Sequence, residues 1–452
     1  MTQTVLGKKY YMRAALICTL AAFFYIYEFT VRTMPTAMTG ELMRDFGISA
    51  AGLGVLSSMF YWGYVFMQIP AGLLCDRFGV RPILTISMGL CTAGTFIFGL
   101  SNNIYFADAA FLIIGVASST AFVGALVLVA RWFPAKHFAM LVGLVQFLGC
   151  LGAIVGVGPI VLLVARINWH GTVNAFVIIG IFITVLMGIF IRNQPMRQSQ
   201  AEKKQEKTLA AQKPRFTEIQ RLKMVCMNKQ VWLVGLYAFA IWGPIVVFAG
   251  LWGLPFLVAR YQIDSASASV GISILWLGIA IGGPLFGWWS NHVDRRCLPL
   301  ALCALLGLIS AILVIYVDNL SWTTTCVMLF FLGAAAAGQT LSFGVIQDIS
   351  HPEVVGTGVG FNNMAVVFGG IFLQPIAGFI LKLHWDGAME NGAPIYSLFD
   401  YRLALLSVPA CGLIALLTPL FWIKETGCVL QHTPQGSLPS EDAGLSSNSF
   451  SH

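Results

Sequence analysis

Long apolar runs return about a dozen times along the 452-residue chain, separated by short polar joints. Each is near or above the ~20 residues needed to cross a ~30 Å hydrocarbon core. Nothing between the runs is long enough for a sizeable soluble domain. Composition agrees, with 58% hydrophobic and 10% charged residues, where a soluble domain carries about 25% charged. The reading is an all-α membrane protein, with about twelve transmembrane helices predicted near 14–36, 51–75, 82–100, 104–130, 138–165, 170–192, 230–259, 266–290, 298–317, 322–348, 355–383 and 401–423. The first run continues through Glu28 and Arg32 without a small-residue cleavage site, so it reads as a retained helix rather than a signal peptide.

Six runs lie on each side of the joint from Arg192 to Lys229, which holds ten Lys/Arg against three Glu and includes QSQAEKKQEK. With the N-terminus inside, twenty of the 26 Lys/Arg fall in inside segments. Five (Arg44, Arg166, Arg260, Lys382, Arg402) fall outside, and Arg32 is left within the membrane. This asymmetry predicts both termini on the cytoplasmic side. The expected divisions are a cytoplasmic N-terminus (1–13), a first bundle (14–192), a basic cytoplasmic linker (193–229), a second bundle (230–424) and a disordered cytoplasmic tail rich in Ser, Gly and Pro (425–452). The net charge of +7 follows this topology and gives no footprint for nucleic acid. Ten cysteines are scattered singly, with neither C-x-x-C nor a Cys/His cluster. They read as packing residues, and no metal or other cofactor is expected.

The halves echo each other. After the second run the chain reads GLLCDRFGVRP, and after the eighth GWWSNHVDRR, so that Gly72 meets Gly287, Asp76 meets Asn291 and Arg81 meets Arg296 at an offset of 215 residues. The fifth and eleventh runs share a Gly/Pro-rich character (GCLGAIVGVGP, GGIFLQPIAG). Duplicated six-helix halves are the build of alternating-access carriers.

GLLCDRFGVRP resembles the signature loop between helices 2 and 3 of the major facilitator superfamily, and its degenerate second copy is also typical of that family. The resemblance covers roughly residues 10 to 425 and implies two pseudo-symmetric six-helix bundles that work by alternating access. EFTVRTMPTAMTGELMRDFGISAAGLG, ARWFPAKHFAMLVGL and VVGTGVGFNNMAVVFGGIFLQPIAG are similar to bacterial permeases labelled sugar-phosphate or organic-anion carriers, and more distantly to the lysosomal dipeptide-transporter branch. The resemblance therefore implies a multi-pass protein of a bacterial inner membrane.

The family pattern implies a gate. Asp76 would cap the start of helix 11 and pair with Arg131 at the end of helix 4, with Gly72, Arg77, Gly79 and Arg81 completing the loop. An anion at a helix N-terminus meets a partial positive charge. The alternative, that Arg77 and Arg81 are only topology signals, leaves the Asp76 carboxylate without a role. In the second copy Asn291 stands where the aspartate would be, beside Arg296, so that latch is expected to be weaker. Gly143, Gly152, Gly156, Gly158 and Pro159 do not reproduce the antiporter signature, and obligate exchange is not supported.

Glu28 and Arg32 lie four residues apart, on one helical face, where each charge costs about 2.5–3.5 kcal/mol on insertion scales. Two readings stay open. The pair is a structural salt bridge, or it faces a central cavity where Arg32 binds a substrate oxyanion through its planar fork and Glu28 exchanges a proton. Tyr25, Tyr61, Tyr64, Gln68, Gln146, Trp242, Gln339, Asn362 and Asn363 are further candidate substrate contacts, each with an interhelical hydrogen bond as its alternative role. Trp169 and Trp322 read as interface anchors, and Asp108, His170 and Asp348 as wetted boundary positions.

The expected activity is secondary active, proton-coupled import of a small anionic or zwitterionic metabolite, by a monomer whose partners are the substrate, protons and the lipid bilayer. The alternatives are an uncoupled facilitator or exporter of amphipathic compounds and, from another class, a non-transporting membrane sensor or scaffold. An enzyme is not expected, because no nucleophile, metal cluster or phosphate-cradling loop stands out.

Overall fold

The computed structural model describes residues 8–133, 138–192, 217–351 and 354–429. The linker stretch 193–216 and the tail beyond 429 lie outside the described residues, as does the side chain of Asp76. Among the described residues, eleven stretches are long and apolar enough to cross a membrane. One of them, Gly143–Phe190, is folded back at Ile167 and Asn168, which makes twelve crossings.

We number these α1 (Lys8–Thr33), α2 (Ala50–Phe78), α3 (Val80–Leu100), α4 (Ile104–Trp132), α5 and α6 (the two arms of Phe138–Phe190), α7 (Lys229–Val247, continuing to Tyr261), α8 (Ser265–His292), α9 (Cys297–Tyr316), α10 (Trp322–Ala335 and Gly338–Ile349), α11 (Val355–His384) and α12 (Leu398–Ala404, Ser407–Leu417 and a π turn Thr418–Trp422). The predicted ends fall within a few residues of these, except that α1 begins at Lys8 rather than 14.

Asn168 explains how α5 turns into α6 without a loop. It adopts φ 58°, which asparagine tolerates better than most residues. Its Oδ1 accepts from Gly171 N at 2.8 Å, capping the new helix. Trp169, expected at the lipid interface, is instead 1% exposed and donates through Nε1 to Asp45 Oδ2 at 2.7 Å. Asp45 belongs to a short helix, Thr39–Phe46, that follows a 3₁₀ turn (Met34–Met38) at the end of α1. That hydrogen bond ties the α1–α2 connection to the α5–α6 corner.

Each half has a helix crossing that only glycine permits. A Cβ on Gly63 of α2 would lie 2.4 Å from Leu112 O of α4, and one on Gly115 2.0 Å from Phe60 O. In the second half a Cβ on Gly278 of α8 would meet Phe330 O of α10 at 2.1 Å, and one on Gly333 would meet Leu275 O at 1.9 Å. With no hydrophobic drive between helices in lipid, such backbone approach is a main source of helix association. Gly63 and Gly278 are 215 residues apart, the offset of the loop motif, so the repeat extends into the packing.

The two halves touch unevenly. On the side of the α1–α2 connection, called distal here, a Cβ on Gly54 of α2 would lie 2.7 Å from Gln374 O of α11, and one on Gly378 2.3 Å from Ala50 O. Thr36 Oγ1 donates to Gly250 O of α7 at 2.7 Å, and Ala50 N donates to Tyr396 Oη at 3.0 Å. Toward the side where α1 begins and α12 ends, a Cβ on Gly72 (α2), Gly143 (α5), Gly287 (α8), Gly356 or Gly360 (α11) would meet nothing within 4 Å among the described residues. The halves are clasped distally, and α2 and α11 also meet farther toward the terminal side, where Asn363 reaches Gln68.

Candidate functional site

The charged pair sits in the last two turns of α1. Glu28 is wholly buried and Arg32 is 7% exposed. Glu28 Oε1 lies 3.8 Å from Arg32 Nη1, an ion pair too long for a hydrogen bond. Neither Glu28 oxygen has a hydrogen-bond partner among the described residues. Arg32 instead rests on aromatic rings, with its guanidinium carbon 3.7 Å from the Phe29 centroid and 5.6 Å from that of Phe60. A cation on a ring face is stabilised by the quadrupole without spending its N–H donors. Its place in the final turn of α1 adds the favourable end of the helix dipole. Arg32 is thus held in position while its donor fork stays unspent, which a purely structural salt bridge would not require.

Of the other candidates, Tyr25 donates to Gln146 Oε1 at 3.3 Å and packs edge-on to Phe29 at 4.9 Å. Tyr61 lies flat against Gly370 of α11, where a Cβ would be 2.2 Å from its ring. Tyr64 stacks on Phe60 at 5.7 Å. Asn363 Nδ2 donates to Gln68 Oε1 at 2.8 Å, bridging the halves through α11 and α2. Trp242 is buried in α7 at 6.3 Å from Trp276. Asn362 turns away from this group and donates to Ser342 Oγ of α10 at 2.8 Å, the interhelical role held open for it. Gln339 opens the second segment of α10 and is half-buried.

Sequence reasoning passed over Phe29, Phe60, Trp276 and Gln374. Trp276 of α8 meets Phe29 edge-on at 5.9 Å, which brings the second half to the ring that carries Arg32. Gln374 is fully buried beside Pro375 and donates through Nε2 to Val246 O at 2.8 Å. Gln374 and Trp276 carry the same signal as Gln146 and Trp242, a polar group inside an apolar run, and that signal could have found them; their place beside the charged pair's neighbours comes from the packing.

At the terminal side, Gly79 turns the α2–α3 corner with φ 85°, Arg77 lies 5.2 Å over Phe78 and Arg81 donates to Gly188 O at the end of α6 at 2.8 Å. Arg131 is half-buried in the last turn of α4, and its expected pairing with Asp76 lies outside the described residues. The second copy is not merely a weakened one. Arg296 donates through Nε to Asp348 Oδ2 at 3.0 Å and through Nη1 to Asn291 Oδ1 at 3.0 Å. Asp348, expected at a wetted boundary, is 5% exposed and also accepts from Thr426 Oγ1 at 2.7 Å. Here the loop supplies the cation and the end of α10 the carboxylate, the reverse of the expected arrangement in the first half.

Glu425, at the start of the expected tail, accepts from the backbone N–H of Arg296 and Cys297 at 2.7 and 2.9 Å, and from those of Thr426 and Gly427. It caps the first turn of α9. Although burial pushes its carboxyl up, these four donors hold it below the usual carboxylate range.

Two six-helix bundles built on one repeat, clasped on the distal side around a buried charged pair, define a multi-pass membrane transporter. The chain belongs to the Major Facilitator Superfamily, whose family model matches residues 18–375 and, in an overlapping second match, 245–427. It is 23% identical over 374 residues to a probable chloroplastic anion transporter of Oryza sativa subsp. japonica, covering 78% of this chain and 62% of the relative's length. It is 24% identical over 421 residues to a probable galactarate/D-glucarate transporter of Escherichia coli (strain K12), covering 85% and 89%. Its fold is similar to that of a bacterial homolog of the human lysosomal transporter Spinster, solved inward-facing and unoccupied. The TM-score is 0.69 at 17% identity, over 92% of this chain and 97% of that one.

Proposed function

We propose that the protein is a secondary active transporter that imports a small organic anion together with a proton, working as a monomer in a bacterial cytoplasmic membrane. The observation that carries this reading is the Glu28–Arg32 pair, an arginine resting on aromatic rings beside a buried carboxyl with no hydrogen bond among the described residues. The relatives named above for anions and for sugar diacids support the charge of the substrate.

Arg32 takes the anion bidentately, the geometry for which a guanidinium is suited. Its acidic neighbour among the described residues is Glu28, and an unneutralised charge in a membrane interior is expensive. As the anion engages Arg32, that cation no longer balances Glu28, and the carboxyl takes up a proton. With one carboxylate held by Arg32, the pair itself carries no uncompensated charge, which favours rocking of the halves around it; the second carboxylate of a diacid needs a proton or cation of its own. Lysine and arginine excess puts the terminal side toward the cytoplasm, so the distal clasp is the closure that faces outward. The distal contacts of α2 with α11 and of α1 with α7 must open to load it again.

Binding of organic anions to the purified protein, read as a thermal shift, tests the anion site. Arg32→Ala abolishes every shift, and Arg32→Lys, which keeps charge but loses the fork, weakens it roughly tenfold. Wild-type shifts in a folded Arg32→Ala protein would overturn the reading.

A further inference from the structure

Besides the two Glu28 oxygens and Gln68 Nε2, the interface between the halves holds, among the described residues, an unpaired donor and an unpaired acceptor on residues of the second half. Trp276 Nε1, on a residue 2% exposed, and Gln374 Oε1, on a residue fully buried, have no hydrogen-bond partner among the described residues. A buried polar atom left unpaired is unfavourable and calls for an explanation. The orientation of the Gln374 amide is not arbitrary. Its nitrogen faces Val246 O, which can only accept, so the carbonyl end is the one left over. Both residues are linked to the charged pair through shared neighbours. Trp276 touches Phe29, which carries Arg32 on its ring. The Gln374 amide and the Tyr61 hydroxyl converge on Gly250, where a Cβ would lie 3.1 and 3.7 Å from them, and Tyr61 adjoins Phe60, the second ring beside Arg32.

We propose that Trp276 and Gln374 are the residues through which the second half reads the substrate, and that the site takes a hydroxylated carboxylate. This rests on the anion reading of Arg32 and goes one step further. A bare carboxylate offers only acceptors, which satisfy Arg32 and the Trp276 indole but leave Gln374 Oε1 unpaired. A hydroxyl both donates and accepts. An acid bearing hydroxyls along its chain answers the two cationic or N–H donors with oxygens and the Gln374 carbonyl with an O–H. A site built to hydrogen-bond a hydroxyl discriminates strongly against the analogue that lacks it, because its own groups are then stranded.

The test compares D-glucarate and galactarate with adipate, the six-carbon diacid without hydroxyls, by calorimetric binding to the full chain in lipid nanodiscs. Wild type prefers the hydroxylated acids by roughly tenfold or more. Gln374→Leu and Trp276→Phe, which keep volume and ring but remove the acceptor and the donor, each bring that preference toward unity. Because both ligands are measured on the same sample, a partly unfolded variant does not disturb the ratio. Equal wild-type binding of all three acids, or a preference unchanged in both variants, overturns this assignment and leaves the anion reading standing. Binding of none of the three to wild type also overturns this assignment, while the anion reading is decided by the thermal shifts of wild type against Arg32→Ala.

Discussion

Replacing Gly378 with alanine should act on one conformational state alone. Its added Cβ would lie 2.3 Å from Ala50 O, a backbone atom that no rotamer change can move, whereas carbon and carbonyl oxygen tolerate about 3.3 Å. The ends of α11 and α2 must therefore separate by about 1 Å. Overpacking of this kind costs about 1–3 kcal/mol, and the distally open state, where these helices part, does not bear it. The equilibrium between the two states then shifts roughly 5- to 150-fold toward distal opening. Asn102 on the α3–α4 connection and Asn319 on the α9–α10 connection are exposed on the distal side of opposite halves. Spin labels at Asn102→Cys and Asn319→Cys, read by pulsed electron resonance, should gain a longer-distance population in the Gly378→Ala protein. Gly54→Ala, whose Cβ would meet Gln374 O at 2.7 Å, should do the same. Unchanged distance distributions in both folded variants would refute the idea that the distal clasp is the closed gate.

At the opposite gate, Asp348→Asn strands Arg296. The loss should be about 3 kcal/mol, the low end for a broken buried pair, because 12% of the Arg296 side chain stays exposed. Thermal melts should show the deficit, and a charge-swapped Arg296→Asp, Asp348→Arg protein should recover part of it. Glu425→Ala should lower the melting temperature at neutral pH. The Glu425 carboxyl lies below its ordinary range in the folded state, so its contribution is present above the unfolded value of about 4.3 and fades as pH falls through the lower folded value. Melts taken down a pH series should therefore show the difference from wild type closing below about pH 4.

The twelve crossings were legible because length against bilayer thickness is a one-dimensional constraint, and the 215-residue offset because duplication leaves matching loops. What escaped the sequence depends on which faces meet. Asn362 and Asn363 are adjacent and chemically identical, yet a helix turns about 100° between them. One therefore bonds Ser342 within its own half and the other reaches Gln68 across the interface. Asp348 and Arg296 lie 52 residues apart, at the ends of helices whose approach no periodicity announces. Trp169 read as an interface anchor because tryptophan favours that zone. The positive φ of Asn168 turned it inward onto Asp45 instead. Glu28 and Arg32 were conspicuous as charges, but that the carboxyl lacks any hydrogen bond and that the arginine rests on Phe29 could be known only from packing.

The central claim is that Glu28 carries the proton and Arg32 the anion, and the two roles separate in one experiment. In proteoliposomes, labelled D-glucarate is taken up either under an imposed inward proton gradient, acidic outside, or by counterflow exchange with unlabelled substrate at equal pH. Glu28→Gln, which stays neutral and close in volume, should abolish accumulation driven by the gradient while counterflow persists. Gradient-driven accumulation at wild-type level in Glu28→Gln would contradict the account.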